Sequence, residues 1–296
     1  MGDVGSASAV RGSRNQETRQ RNLSLLLSAV HASGQLTRSE LTLDSGLNRS
    51  TVGALVGDLV EAGLVVETEP RATHQAGRPS PVVRPSPDVV SVSVNPDVSG
   101  VSCAAVGLGG VVRMHETVVT PQPPTPEQTA TVRVAPHLNW VDVRLEALME
   151  EELALPVRMA NDATFGVMAE SMFGAGAGSD DVVYFNGSTS GVGGGVVSGG
   201  RLVKGVRGFG AELGHTLLNP QGRLCGCGRT GCLETEVNVQ RVWAVAGERY
   251  VPLDELDHLY ADVPSAELGA ELDRQADALA MGIASLLSVF APARVI

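Results

Sequence analysis

Four side chains that bind transition metals lie close together in the second half of the sequence. They are His215, Cys225, Cys227 and Cys232, spaced as H-x9-C-x-C-x4-C. Three thiolates and one imidazole complete the tetrahedral shell of a structural zinc ion, and the intervening glycines let so short a loop fold back on one ion. The pattern therefore predicts a structural Zn²⁺ site. The alternatives are free thiols in a turn and an iron–sulfur cluster, which would here need a histidine ligand.

Amide and carboxylate side chains lie on both sides of this cysteine loop. Asn161-Asp162 and Glu212 precede it, and Glu234 follows it. Such groups next to turns suit the hydroxyls of a sugar, which need hydrogen-bond partners in fixed directions. Taken singly, an Asn-Asp pair is more often a helix cap and a glutamate more often a solvated charge. Only their combination indicates a sugar site.

Strands and helices mix in the part of the chain that must position these side chains. Residues 89–94, 101–108 and 111–119 predict a three-stranded meander, with turns at Asn95-Pro96-Asp97 and Gly109-Gly110. The later predicted elements are a helix near 143–153, a strand at 157–159, a helix from Asp162, strands around 182–185 and 192–197, and C-terminal helices. The class is therefore α/β or α+β.

The head of the chain, residues 19–87, has a different pattern. Three amphipathic helices are predicted, the second beginning at a Thr37–Glu40 capping box and the third at the N-cap Asn48. A strand at 64–66 and the run 81–84 flank the Gly-Arg-Pro sequence at 77–79. This order predicts a winged helix-turn-helix, and a three-helix bundle used only for packing is the alternative.

Duplex DNA is the partner expected for such a head. The N-terminal side chains of the third helix, Arg49, Ser50 and Thr51, would meet base edges in the major groove. Arg78, between a glycine and a proline, would enter the minor groove at the wing. Because Gly53, Ala54 and Gly57 leave little side chain on that helix, specificity is expected to be modest or to come from the wing.

The distribution of charge indicates that the chain has two domains with different functions. Residues 1–87 hold nine Lys and Arg against eight Asp and Glu, whereas the whole chain has a net charge of −11. An acidic body with a near-neutral head fits a small DNA-binding module on a larger domain. We expect a flexible segment at 1–18, the head at 19–87 and the body at 88–296. No secretory signal and no long apolar segment is visible, which favours a cytoplasmic protein without a membrane partner.

Together, these motifs resemble those of the ROK family, whose members are sugar kinases and sugar-responsive repressors on a hexokinase- and actin-like (ribonuclease H-like) fold. The similarity covers roughly residues 19–296 and includes the head, which is typical of the branch of xylose- and N-acetylglucosamine-type repressors. It implies that Asn161 and Asp162 match the family's sugar-binding Asn and catalytic Asp. It also implies that Glu212, His215 and Glu234 hold sugar hydroxyls, with one His215 ring nitrogen on zinc and the other toward the ligand.

Three features depart from the family pattern. Family kinases open this domain with an Asp-x-Gly-Gly-Thr turn that cradles ATP phosphates, whereas this chain has Asn95-Pro96-Asp97-Val98-Ser99, which lacks the glycine pair. The stretch between Val119 and Asn139 is shorter than in the family, and the sequence stops at Ile296 where the family continues. The body is therefore expected to be internally shortened and C-terminally truncated, while the glycine-rich run 191–195 is retained.

These observations lead to one hypothesis and two alternatives. We expect a DNA-binding repressor of sugar-metabolism genes, a homodimer or higher oligomer, released from its operator by a sugar or phosphosugar. No catalytic residue is expected, because Asp162 would be the vestigial position of a kinase base. The alternatives are an ATP-dependent sugar kinase of glucokinase or fructokinase type, favoured by Asp162 and run 191–195, and a DNA-binding relic that ignores ligands.

Overall fold

The structure is a computed structural model that forms two compact units. It describes residues 5–69, 80–97, 100–119, 134–135, 140–141, 145–188, 191–206, 210–248, 251 and 265–296. The first unit comprises Met1–Ser93 and Cys103–Glu116, and the second comprises Val94–Ser102 and Thr117–Ile296. Within the described ranges, no helix is long and apolar enough to cross a membrane.

Three helices and a small sheet make up the N-terminal part of the first unit. They are α1 (Gly5–Ser33), β1 (Leu36–Thr37), α2 (Arg38–Ser45), α3 (Arg49–Glu61), β2 (Val65–Thr68) and β3 (Val82–Pro85). The strands are antiparallel in the order β1-β3-β2. The buried core comes from the apolar faces that the sequence predicts: Leu26, Val30, Leu41, Val52, Leu55, Val56, Leu59, Val65 and Val83.

Local capping explains where the short helices of this unit begin. The hydroxyl of Thr37 accepts a hydrogen bond from the backbone of Glu40, whose carboxylate accepts one from the Thr37 amide, so the predicted capping box is present. The predicted N-cap Asn48 accepts from the amide of Thr51. Helix α2 ends where Gly46 adopts a left-handed conformation with φ of 66°.

Helix α1 extends further toward the start of the chain than the predicted apolar face. It begins at Gly5, whereas the flexibility expected for residues 1–18 stays a prediction. No proline interrupts residues 5–33, so the apolar-faced helix at Leu23–Val30 continues toward the N-terminus.

A three-stranded sheet with the order β4-β5-β6 follows the head. Its strands are Val90–Asp97, Gly100–Gly107 and Val112–Val119, as the meander pattern predicts. The predicted turn at Asn95-Pro96-Asp97 is wrong, because β4 continues through these residues. Since β4 is an edge strand, the missing N–H of Pro96 is tolerated there.

The remaining elements belong to the second unit. They are β7 (Val134–Ala135), β8 (Trp140–Val141), α4 (Leu145–Leu153), α5 (Asp162–Phe173), β9 (Val182–Ser188), β10 (Gly191–Ser198), β11 (Arg201–Leu202), a 3-10 turn (Leu213–His215), α6 (Leu233–Glu236), α7 (Val239–Ala246), α8 (Ala266–Phe290) and β12 (Arg294–Val295). The predicted strand at 157–159 is not formed. Its amides bond instead to helix α4, Val157 N to Glu150 and Met159 N to Glu146.

A four-stranded sheet with the order β11-β10-β9-β12 packs against the helices and the 3-10 turn that carry candidate site residues of this unit. Helix α5 packs on it through Val167, which clusters with Val182 and Val197. A Cβ on Gly195 would lie 2.6 Å from Val167 Cγ1. The glycine therefore allows the start of α5 to approach strand β10 closely.

Candidate metal centre and sugar site

Backbone hydrogen bonds fold the cysteine loop into a small closed structure. Cys225 N donates to Arg229 O over 2.7 Å, and Gly231 N donates to Arg223 O over 2.8 Å. Gly228 and Gly231 have φ of 85° and 79°, a region that other residues rarely adopt. A Cβ on Gly231 would lie only 1.5 Å from Asn219 O, so no side chain fits there.

This loop brings the four predicted metal ligands together. One ligand atom each from His215, Cys225, Cys227 and Cys232 lies within 4.8 Å of the others. Cys225 Sγ lies 3.5 Å from His215 Nδ1, and Cys227 Sγ lies 3.6 Å from Cys232 Sγ. A tetrahedral zinc ion with bonds of about 2.0 Å to nitrogen and 2.3 Å to sulfur places its ligand atoms about 3.5–3.8 Å apart. The cluster therefore fits a metal ion such as zinc in both chemistry and size.

Different surroundings shift the pKa values of the thiols in the cluster in opposite directions. A hydrogen bond from the side chain of Arg229 lowers the pKa of Cys227 to about 6, which favours the thiolate that binds metals. Burial raises the pKa of Cys225, and the hydrogen bond from its thiol to Glu234 adds to this rise. Burial also raises the pKa of Cys232. Metal binding must therefore release protons from the two buried thiols.

Glu234 lies next to the cluster as well as in the predicted sugar set. Its Oε1 is 2.9 Å from Cys225 Sγ and 3.5 Å from His215 Nδ1. Because Nδ1 is the ring nitrogen of His215 that faces the cysteines, Nε2 is left for another partner. Glu234 and His215 therefore lie side by side at the border of the cluster.

Asn161 and Asp162 lie at the start of α5, where both side chains cap the helix. Asn161 Oδ1 accepts from the amides of Ala163 and Thr164. Asp162 Oδ1 accepts from the Ala163 amide over 2.8 Å, and its Oδ2 accepts from Asn186 Nδ2 over 2.8 Å. Both side chains are exposed. The capping role does not exclude a ligand, because each carboxylate or amide oxygen can accept more than one hydrogen bond.

The glycine-rich start of β10 lies between these groups. A Cβ on Gly191 would lie 3.6 Å from Glu234 Oε2, and one on Gly193 would lie 3.3 Å from Ala163 Cβ. Glu212 stands apart: it is exposed, precedes the 3-10 turn and makes no side-chain capping bond. The structure thus places Asn161, Asp162, His215 and Glu234 around the start of β10, whereas no contact described above joins Glu212 to them.

In the first unit, Arg49 and Ser50 are exposed at the beginning of α3 and Thr51 is half-buried. Ser50 Oγ donates to Asn48 Oδ1 over 2.7 Å, so the same asparagine that caps the helix also orients this hydroxyl. Arg78 falls outside the described residues.

Sequence reasoning missed two groups of polar residues. Asn186 lies within β9 and belongs to no sequence motif, so only its side-chain hydrogen bond in the structure shows that it reaches Asp162. A buried ionic network joins Glu236, Arg241, Glu271, Arg274 and Gln275. Helical spacing of a glutamate, an arginine and a glutamine at 271, 274 and 275 was the available signal, but such runs usually form solvated faces.

Comparison with known protein families shows which family this chain belongs to. The family model described as ROK family matches residues 94–296. The chain belongs to the ROK family. Structural neighbours from this family support its actin-like, kinase-type fold in the matched region.

Both repressors and kinases occur among the curated relatives. A xylose repressor of Caldicellulosiruptor bescii is 25% identical, covering 94% of this chain and 82% of its own length. A xylose repressor of Bacillus subtilis is 27% identical over 72% of this chain and 64% of its own. A glucokinase of Streptomyces coelicolor is 33% identical over 62% of this chain and 55% of its own.

The similar solved structures also include both a kinase and a transcriptional regulator. A ROK family glucokinase from Streptomyces griseus, in complex with glucose and AMPPNP, superposes with a TM-score of 0.58 and is 26% identical, over 70% of this chain and 82% of its own. A ROK family transcriptional regulator, described as a homologue of the E. coli MLC protein, reaches a TM-score of 0.70 at 21% identity, over 94% of this chain and 82% of its own. The second likeness extends over most of this chain but is informative for the fold alone.

Proposed function

We propose that this protein is a DNA-binding repressor of sugar-metabolism genes, whose ROK domain binds a sugar or phosphosugar and holds a structural zinc ion. The observation that carries the proposal is how much of this chain aligns with each kind of relative. The repressor of C. bescii aligns with 94% of the chain, whereas the glucokinase of S. coelicolor aligns with 62%. Most of the chain that does not align with the glucokinase therefore does align with the repressor.

The head would bind duplex DNA as a winged helix-turn-helix. The order of helices α1 to α3 and strands β1-β3-β2 supports this interpretation. Helix α3 would enter the major groove with Arg49, Ser50 and Thr51 toward base edges, while Arg78 would reach the minor groove. Two heads of a homodimer would read two half-sites, so that their spacing decides affinity.

The effector would bind at the strand end that Asn161, Asp162, His215 and Glu234 surround. Carboxylate oxygens at Asp162 and Glu234 accept from sugar hydroxyls, and His215 Nε2 can donate to one. Glu212 would join the set from its edge. A ligand that contacts residues on several different elements can change their arrangement, which is the requirement for coupling to DNA binding.

A zinc ion held by His215, Cys225, Cys227 and Cys232 would have a structural role. Its four protein ligands leave no open position for a substrate. The ion would fix the loop that joins His215 to Glu234 and thereby orient both side chains. Zinc bound at Nδ1 of His215 would also set the tautomer in which Nε2 carries the proton.

The DNA-binding part of the proposal is tested by selecting the DNA fragments that the protein binds. Genomic fragments from the source organism are incubated with the purified full-length protein, and the retained fragments are sequenced. We expect a small set of related sequences upstream of sugar-metabolism genes. Retention of fragments without a shared sequence, at the level of an unrelated acidic protein, would contradict the DNA-binding proposal.

A sugar kinase is the second candidate, favoured by the glucokinase relative at 33% identity and by the oriented carboxylate of Asp162. Phosphoryl transfer also requires donors around the β- and γ-phosphates of ATP. In this chain β4 continues through Pro96, which has no N–H to offer. A coupled assay of ADP release with hexoses and pentoses separates the candidates, because sustained turnover would favour the kinase.

A further inference from the structure

The C-terminal helix α8 has a polar face that is buried in the second unit. Glu271 and Gln275 are 9% and 8% exposed, and Arg274 lies between them on the same side of the helix. Glu271 Oε1 accepts from Arg274 Nη2 over 2.8 Å and from Gln275 Nε2 over 2.7 Å. The buried glutamate thus orients the other two side chains toward the segment that follows the cysteine loop.

Arg274 binds the end of the short helix α6. Its Nη2 donates to the main-chain oxygen of Glu236 over 2.7 Å, and its Nη1 donates to Glu236 Oε2 over 3.1 Å. A guanidinium can make these bonds and those to Glu271 at the same time, because its donors form a rigid planar fork. Helix α6 spans only Leu233–Glu236 and its N-cap is Cys232, so Arg274 holds a residue four positions from a candidate metal ligand.

Glu236 is also packed against the cysteine loop itself. The residue is 6% exposed. A Cβ on Gly222 would lie 2.3 Å from Glu236 Oε1 and 3.0 Å from the Cα of Gly231, which precedes Cys232. The amide of Glu236 donates to the carbonyl of Cys232 over 3.2 Å. Glu236 therefore connects the loop, the helix that carries Glu234 and the guanidinium of Arg274.

We infer that Arg274 is a positioning residue for the metal centre: by holding Glu236, it fixes Cys232 within the ligand cluster. The inference rests on the proposed metal site and extends it to helix α8, which sequence motifs do not connect with it. Removing a group that is hydrogen-bonded to a metal ligand typically lowers metal affinity by 10- to 100-fold. Because Arg274 acts through Glu236 and not on a ligand directly, we expect an effect near the lower end of this range. Arg274 would thus act on metal binding without contacting the ion.

Cobalt binding tests the inference directly. Purified full-length protein is stripped of metal and titrated with Co²⁺, and the charge-transfer absorption of cobalt thiolate reports occupancy. We expect Arg274→Met to weaken Co²⁺ binding by about 10-fold or more. We expect Arg274→Lys to fall between this variant and the parent chain, because an ammonium keeps the charge but not the fork.

Arg241→Met provides a matched control. Arg241 pairs with the same carboxylate, Glu271, over 2.9 Å, but none of its hydrogen bonds described here reaches Glu236. The control should lose stability without losing Co²⁺ affinity. Thermal unfolding of each metal-free variant verifies that it is folded at the titration temperature. Should Arg274→Met be unfolded, Glu236→Gln takes its place, since it keeps the side-chain shape and removes the charge that Arg274 Nη1 contacts at Oε2.

Three results are distinguishable. Weaker Co²⁺ binding in Arg274→Met, or in Glu236→Gln, with parental affinity in Arg241→Met supports the inference. Parental affinity in a folded Arg274→Met, or equal losses in both arginine variants, overturns it and leaves the metal site intact. Absence of cobalt–thiolate absorption in the parent chain overturns the metal site and this inference together.

Discussion

Asn186 and Asp162 are joined by a hydrogen bond of 2.8 Å from the side-chain amide to carboxylate oxygen Oδ2. Because Oδ1 is bonded to the Ala163 amide, the carboxylate is held at both oxygens. Its orientation toward a ligand is therefore set before a ligand arrives, which reduces the entropy lost on binding.

Removing this orienting bond should weaken sugar binding. Asn186→Ala leaves Oδ2 of Asp162 without its partner, and the loss of one such bond corresponds to about 1 kcal/mol, or roughly 5-fold in affinity. Calorimetric titration with the sugar that the parent chain binds most tightly measures the effect. Asp277→Ala, a substitution at an exposed position of helix α8, serves as the control and should leave sugar affinity unchanged. Equal affinities of the Asn186 variant and the parent chain would show that this bond does not orient Asp162 for the ligand.

The cysteine loop should hold about one zinc ion per chain, since its ligand shell is complete within one loop. Cys227→Ser should lose the metal, whereas Cys103→Ser, which lies outside the cluster, should retain it. Elemental analysis of protein purified without chelators checks both variants. Zinc contents that do not differ between the two would mean that the cluster does not bind this metal.

Acid should weaken the network around helix α8 in a defined range of pH. The hydrogen bond from Arg274 holds the pKa of Glu271 at about 2, below its usual 4.5. A depressed carboxylate pKa stabilises the folded state above pH 4.5, and this contribution is lost as the pH falls toward 2. Its size would be about 3 kcal/mol at neutral pH.

Urea unfolding of the parent chain and of Glu271→Gln at several pH values tests this expectation. The two free energies of unfolding should differ most above pH 5 and converge as the pH approaches 2. A difference that stays constant across this range would show that Glu271 acts by packing alone and not by its charge.

Arg49 should contribute to operator selectivity. Arg49→Ala removes an exposed cation from the start of α3, and loss of one base contact typically costs about 1–3 kcal/mol at its own base pair. Affinities for the operator and for variants changed at single positions are measured at fixed salt, with Arg201→Ala in the second unit as control. A uniform loss over all sequences would assign Arg49 to phosphate contact and not to base reading.

Patterns whose partners lie within a few residues predicted local structure better than patterns whose partners lie in another element. The capping box at Thr37 and the N-cap at Asn48 depend on neighbours three residues away, so the sequence alone reveals them. The strand expected at 157–159 failed because its amides bond to Glu146 and Glu150. Those partners come from a preceding helix, and the β-branched composition of a segment says nothing about them.

In the candidate site, too, residues close together in the sequence were predictable, whereas residues brought together from distant elements were not. The candidate metal ligands were predictable because one histidine and three cysteines, both rare residue types in this chain, lie within eighteen positions. Asn186, Glu236 and Arg274 were not, because their importance arises from packing between elements distant in the chain. Asn161 and Asp162 were visible in the sequence as a sugar-binding pair or a helix cap, and the structure shows that both side chains accept hydrogen bonds from the first amides of helix α5.

The response of DNA affinity to sugar tests the central claim most directly. The anisotropy of a labelled operator fragment is titrated with full-length protein, alone and with D-xylose, D-glucose, N-acetylglucosamine or a phosphorylated form of each. We predict that at least one of them shifts the dissociation constant by about 5- to 150-fold, the usual range of coupling between two sites. Glu234→Gln should reduce this shift while leaving operator affinity without sugar unchanged. Tight operator binding that none of these compounds alters would contradict the account, and would identify the protein as a DNA-binding member of the family that does not respond to these sugars.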